Sequence, residues 1–124
     1  MSTASDYRLV FFDLETTDFD HRSRHARVQI CQIGAYFQSG KKKFDKYLVP
    51  TCPVSPGATR VNKLSVVDGE LFKDGKLVKN AQDAREGLME FMNFLAEEVV
   101  KGDEDVKIVL VRNFDAFSKS KFWS

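Results

Sequence analysis

Asp13 and Glu15 stand two positions apart, directly after the apolar run Leu9–Phe12. That run is too short for a helix and rich in β-formers, so it reads as a strand buried on both faces. In an extended chain, residues at i and i+2 point to the same side. Both carboxylates therefore project together while Leu14 turns the other way. Two like charges at the mouth of a buried strand repel unless a cation separates them. A hard divalent ion, Mg²⁺ or Mn²⁺, takes oxygen ligands and resolves the conflict. Solvent, or Lys and Arg partners, would resolve it without a metal.

A third acid enters through the elements that must carry it. After a polar loop with His21, Arg22, Arg24, His25 and Arg27, residues 28–38 read as a second strand. Ser39-Gly40-Lys41 supplies a turn, and Lys43–Val49 a third strand, which together make a hairpin. The basic loop suits either phosphate contact or plain solvation. Pro50, Pro53 and Pro56 argue against regular structure where they stand. The stretch to Val78 reads as an irregular excursion, with a helical turn near Asn62–Val66 and glycine turns at Asp68-Gly69 and Asp74-Gly75.

Residues 80–101 read as a helix, with Asn80 as N-cap, Asp83 in the first turn and Gly102 as the stop. Its expected core stripe is Ala84, Leu88, Phe91, Leu95 and Val99. Val106–Val111 then reads as a central strand, and 116–123 as the start of another helix. If the first three strands alternate in direction and the helix returns the chain, the strand at 106–111 lies parallel to the first. Asp13, Glu15 and Asp115 then share one end of the sheet, beyond the carboxyl ends of parallel strands, where functional groups collect.

The chain has 124 residues, 43% hydrophobic and 30% charged, which suits one α/β domain burying roughly 65% of its unfolded surface. A net charge of +1 gives no overall argument for nucleic acid. Nothing approaches the roughly 18 apolar residues of a membrane span. Residues 1–6 read as a disordered N-terminus without a secretory pattern, so the expected location is intracellular, nuclear or cytoplasmic. Cys31 and Cys52 read as reduced thiols, with Cys31 packed as a small apolar residue.

Phe11-Phe12-Asp13-Leu14-Glu15-Thr16-Thr17, followed by Ile30-Cys31-Gln32-Ile33-Gly34-Ala35, resembles the first block of the DEDD 3′–5′ exonucleases. The likeness continues through Pro50, Ser55-Pro56-Gly57-Ala58-Thr59 and Val61-Asn62, and covers residues 7–118. It is nearest to the repair-exonuclease-like branch. The resemblance implies a ribonuclease-H-like mixed sheet and hydrolysis of phosphodiesters from single-stranded 3′ ends. It implies two divalent ions, Mg²⁺ or Mn²⁺, on Asp13, Glu15 and Asp115. It places Thr16 and Thr17 against the terminal nucleotide, and Asn113 beside the second block.

The family's third block, a His with an Asp four or five residues later, has no counterpart here. His21 and His25 both precede Asp115, and neither is followed by an acid at that spacing. The family's Gly after Thr-Thr is Asp18. The expectation is therefore a partial domain over 7–124, incomplete at its C-terminus, with an apolar sheet face for a protein partner. The alternative is an exonuclease-like domain that binds nucleic acid or protein without cleaving.

Overall fold

The computed structural model describes residues 7–18, 28–40, 42–101 and 106–112. In chain order the elements are β1 (Tyr7–Thr16), β2 (Ile30–Phe37), β3 (Lys43–Val49), α1 (Pro56–Asn62), β4 (Leu64–Val67) and β5 (Glu70–Lys73). They continue with β6 (Lys76–Leu77), β7 (Gln82–Asp83), α2 (Ala84–Lys101) and β8 (Lys107–Arg112). A five-stranded mixed sheet has the order β7-β3-β2-β1-β8, and a second sheet the order β4-β5-β6. The chain forms two compact units, Met1–Asp13, Gly34–Asp45 and Leu88–Ser124 in one, Leu14–Ile33 and Lys46–Gly87 in the other.

In the first unit β8 runs parallel to β1, from Tyr7 opposite Lys107 to Phe12 opposite Arg112. This is the pairing that the direction count required. β8 is not central, however. It is the last strand in the sheet order, and Val109 and Leu110 are exposed at 36% and 46%. A continuous apolar run signals burial of both faces only where neighbours exist on both. β1 is likewise less covered than its sequence implied, because Leu9, Phe11 and Phe12 are only half-buried. The side chains explain it. Phe37 and Phe44 pack against Phe94 of α2, with ring centroids 5.0 and 5.3 Å away. Phe11 stacks instead on half-buried Tyr36, next to Phe37 and pointing to the opposite face of β2.

The hairpin between β2 and β3 closes where predicted. Phe37 N–H donates to Lys42 O, and Gly40 takes the positive φ of 77° that the turn needs. Lys42 also forms an ion pair with Glu97 of α2 at 3.0 Å.

In the second unit, Cys31, Leu64 and Leu71 form a core no more than 1% exposed, ringed by Tyr47, Val49, Val54, Val66, Val78 and Ala81. Cys31 thus packs as an apolar residue, as expected. The expected irregular excursion is instead ordered. Pro56 opens α1 rather than preventing it, because the first helical turn has no N–H to lose. Ser55 Oγ caps that helix, accepting from Ala58 N–H at 3.2 Å, and Lys63 ends it at a φ of 65°. The helical turn expected near 62–66 is therefore misplaced, and Leu64 begins a strand. Asp68-Gly69 and Asp74-Gly75 have positive φ at both positions and close two-residue hairpins, the turn whose twist matches its strands.

The start of α2 also differs. Asp83, not Asn80, caps it, its Oδ1 accepting from Glu86 N–H at 2.8 Å. Buried Gly87 seats the helix on Leu48 of β3, where a Cβ would collide with Leu48 Cδ2 and lie 3.1 Å from Cγ. Further along α2, Phe94 is buried and Phe91 and Leu95 half-buried, while Leu88 is 41% exposed. Ala84 is exposed as well, and the side chain of Val99 lies outside those described. No described helix is long and apolar enough to cross a membrane.

Candidate active site at the end of β1

β1 continues through both acids to Thr16, so Asp13 and Glu15 sit within the strand rather than beyond it. Their spacing gives them one face. Asp13 is 5% exposed and Glu15 half-buried. A carboxylate taken this far from water keeps its charge only with hydrogen bonds or a counter-charge beside it.

What holds this end of the strand is a set of bonds from three later segments. Thr17 N–H donates to Gln29 O at 2.9 Å, and Gln29 N–H returns a bond to Thr17 Oγ1 at 3.0 Å. Thr17 O accepts from Ser55 N–H at 2.7 Å. Thr16 O accepts from Asn62 Nδ2 at 3.2 Å, while Asn62 Oδ1 accepts from Leu64 N–H at 2.9 Å. Gln29 in turn is locked to Thr51, donating through Nε2 and accepting through Oε1, both at 2.7 Å. Thr17 is 2% exposed, so its hydroxyl works inside this lattice. The Thr16 hydroxyl donates to Asp18 O at 3.0 Å.

Cys31 lies close enough to feel the site. Burial, with the Cys52 thiol and the Glu15 carboxylate adding to it, pushes the Cys31 thiol up to about 12.

Asp13 and Glu15 lie on one face of β1, while Asp115 and Asn113, like His21, His25 and the basic loop, lie outside the described residues. The register between β1 and β8 ends with Arg112 opposite Phe12, bringing the chain level with the residue before Asp13. Among the described residues, no cluster of three or more His, Cys, Asp or Glu side chains is placed to hold a metal ion. Two hard oxygen donors on one strand face do match the preference of Mg²⁺ or Mn²⁺. Gln29 had no role in the sequence reading, and Ser55 and Asn62 had one only as part of the resemblance, which does not say what they bond.

No protein-family model matches the chain, and no curated protein matches it. Solved structures do. The nuclease domain of 3′hExo, a DEDDh family member, bound to rAMP, superposes with a TM-score of 0.63 at 14% identity. That match covers 98% of this chain and 58% of the other. A 3′-exonuclease in 3′-end-specific recognition of histone mRNA stem-loop gives 0.60 at 14% identity, over 98% of this chain and 41% of that one. Cell-death-related nuclease 4 gives 0.52 at 17% identity, over 83% and 34%. The fold is that of the DEDDh exonuclease nuclease domains, and the chain spans just over half the length of the first of them.

Proposed function

We propose that this chain is a 3′–5′ exonuclease-type domain acting on single-stranded nucleic acid with divalent metal. The observation that carries the reading is the pair Asp13 and Glu15 on one face of β1, at the carboxyl end of a parallel strand pair, in a nuclease fold. Asp13 and Glu15, with Asp115 from the segment after β8, would hold Mg²⁺ or Mn²⁺. A bound ion supplies a water activated at neutral pH and charge stabilisation for the departing oxygen. The chain's own part is to keep both carboxylates fixed and partly dry. Thr16 and Asn113 are assigned to the terminal nucleotide, while Thr17, for which the resemblance implied the same role, is buried and bonded to Gln29 and Ser55 and so acts by fixing the backbone beside it.

The test is release of mononucleotides from end-labelled single-stranded RNA and DNA with Mg²⁺ or Mn²⁺. Activity that disappears in Asp13→Asn is expected, and a folded chain that releases nothing with either ion would overturn the assignment. One residue favours a second reading, binding without cleavage: Asp18 stands where the exonucleases carry Gly after Thr-Thr, and adds negative charge beside a site that must accept phosphate. Binding of RNA that persists in Asp13→Asn, with no turnover in the parent chain, is its signature.

A further inference from the structure

The β5–β6 hairpin carries two lysines in an arrangement the fold itself does not require. Lys73 and Lys76 lie directly opposite each other across the Asp74-Gly75 turn, and Leu64 of β4 lies opposite Lys73. Residues paired in this way share a face, and like charges so placed destabilise a hairpin. Lys73 is supported only by a neutral group. Its stem crosses Tyr47, with Nζ 3.1 Å from the phenol oxygen and 5.6 Å from the ring centre. Lys76 is exposed, and no carboxylate answers either lysine among the described residues. Asp74 lies in the turn itself, its N–H donating to Lys63 O at 2.9 Å. Asp68 and Glu70 lie at the opposite turn of the same small sheet, about 10 Å along the strand.

The chain bounds the distance of this charge from the end of β1. Asn62 bonds Thr16 O and Leu64 N–H, and from Leu64 one strand spacing leads to Lys73 and a second to Lys76. At about 4.8 Å per spacing, the backbones of both lysines lie within a few nucleotides' length of Thr16. We infer that Lys73 and Lys76 form a phosphate contact for single-stranded nucleic acid whose 3′ end lies at Glu15 and Thr16. This inference rests on the proposed function and extends it to the strand upstream of the end. Two adjacent cations without acids suit a phosphate backbone, whose charges recur along the strand.

The experiment measures binding of a short 5′-labelled single-stranded RNA in Ca²⁺, across a salt series, for the parent chain, Lys76→Gln, Lys73→Gln/Lys76→Gln and Lys73→Arg/Lys76→Arg. The double glutamine variant should bind on the order of tenfold more weakly near 0.1 M salt, with the log–log salt slope reduced by about 1.4. Lys76→Gln, which touches nothing that stabilises the fold, should show about half that slope change, and the arginine variant should bind normally. Unchanged affinity and slope in Lys76→Gln and the double variant, with the parent binding, would overturn this inference and leave the exonuclease reading standing. The same holds if RNA binding is unchanged while binding of polyglutamate falls, which would mark the face as one for acidic protein. Failure of the parent chain to bind RNA at all would remove both readings.

Discussion

The side-chain amide of Asn62 holds the carbonyl of Thr16 at 3.2 Å while its oxygen accepts from the Leu64 amide. One buried residue thereby ties the end of α1, the start of β4 and the carboxylate end of β1. Asn62→Ala leaves a carbonyl and an amide without their partner in a site 8% exposed. The expected loss is about 1–3 kcal/mol per orphaned group. Urea denaturation followed by circular dichroism measures it. Any nuclease activity should fall further than stability does, since Thr16 adjoins Glu15, which is proposed to hold the metal.

Gly87 should resist even the smallest side chain. Alanine is worth about 1 kcal/mol more than glycine in a helix interior. Here its Cβ meets Leu48, which is fully buried. Overpacking typically costs about 1–3 kcal/mol, so Gly87→Ala should lower the melting temperature. Gly87→Ala combined with Leu48→Ala should lose less than the sum of the two single changes, since each relieves the other. An additive pair in thermal melts would contradict the contact.

Asp83→Ala removes the acceptor for Glu86 N–H. The expected cost is about 1 kcal/mol. Asp83→Asn or Asp83→Ser should recover most of it, and a shift in the urea midpoint without a change in slope is the readout.

Cys31 makes stability fall in alkali. Its thiol is pushed up from 9.0 to about 12, so between these values the folded chain retains a proton that the unfolded chain has lost. The contribution is complete below pH 9 and declines as pH rises through this window, by at most about 1.4 kcal/mol per pH unit. Melting temperature should drop more steeply above pH 9 in the parent than in Cys31→Ala. Iodoacetamide at pH 8 should modify half-buried Cys52 well before Cys31, whose thiol is wholly enclosed.

Binding of a divalent ion is measurable without turnover. If Asp13 and Glu15 hold Mn²⁺, saturating metal at about one hundred times its dissociation constant adds about 2.7 kcal/mol to stability. Titration of Mn²⁺ should raise the melting temperature of the parent chain. Asp13→Asn and Glu15→Gln should each flatten that response.

Much of this architecture follows from patterns of a few residues. The apolar runs of β1 and β8 mark the two strands, and counting chain direction through the hairpin and the returning helix makes them parallel. Asp13 and Glu15 share a face by strand period alone. What the pattern hid depended on single residues with two meanings. Pro56 breaks structure in a chain interior but opens a helix at its first turn. Asp-Gly marks a loop in composition, yet between Val66-Val67 and Leu71-Phe72 it is a strong hairpin signal. Gly87 was invisible to a search for large apolar residues, although the helix backbone there lies too close to Leu48 to admit a Cβ. The ties from Asn62, Gln29 and Ser55 to the end of β1 join positions far apart in the chain, and local periodicity carries no information about them.

Those ties also set a timetable. The bond from Asn62 to Thr16 joins residues 46 positions apart. Contacts of such separation wait on loop closure and form slowly. A nascent chain leaving the ribosome has both acids outside long before Asn62 emerges, so during synthesis the end of β1 stays unsecured.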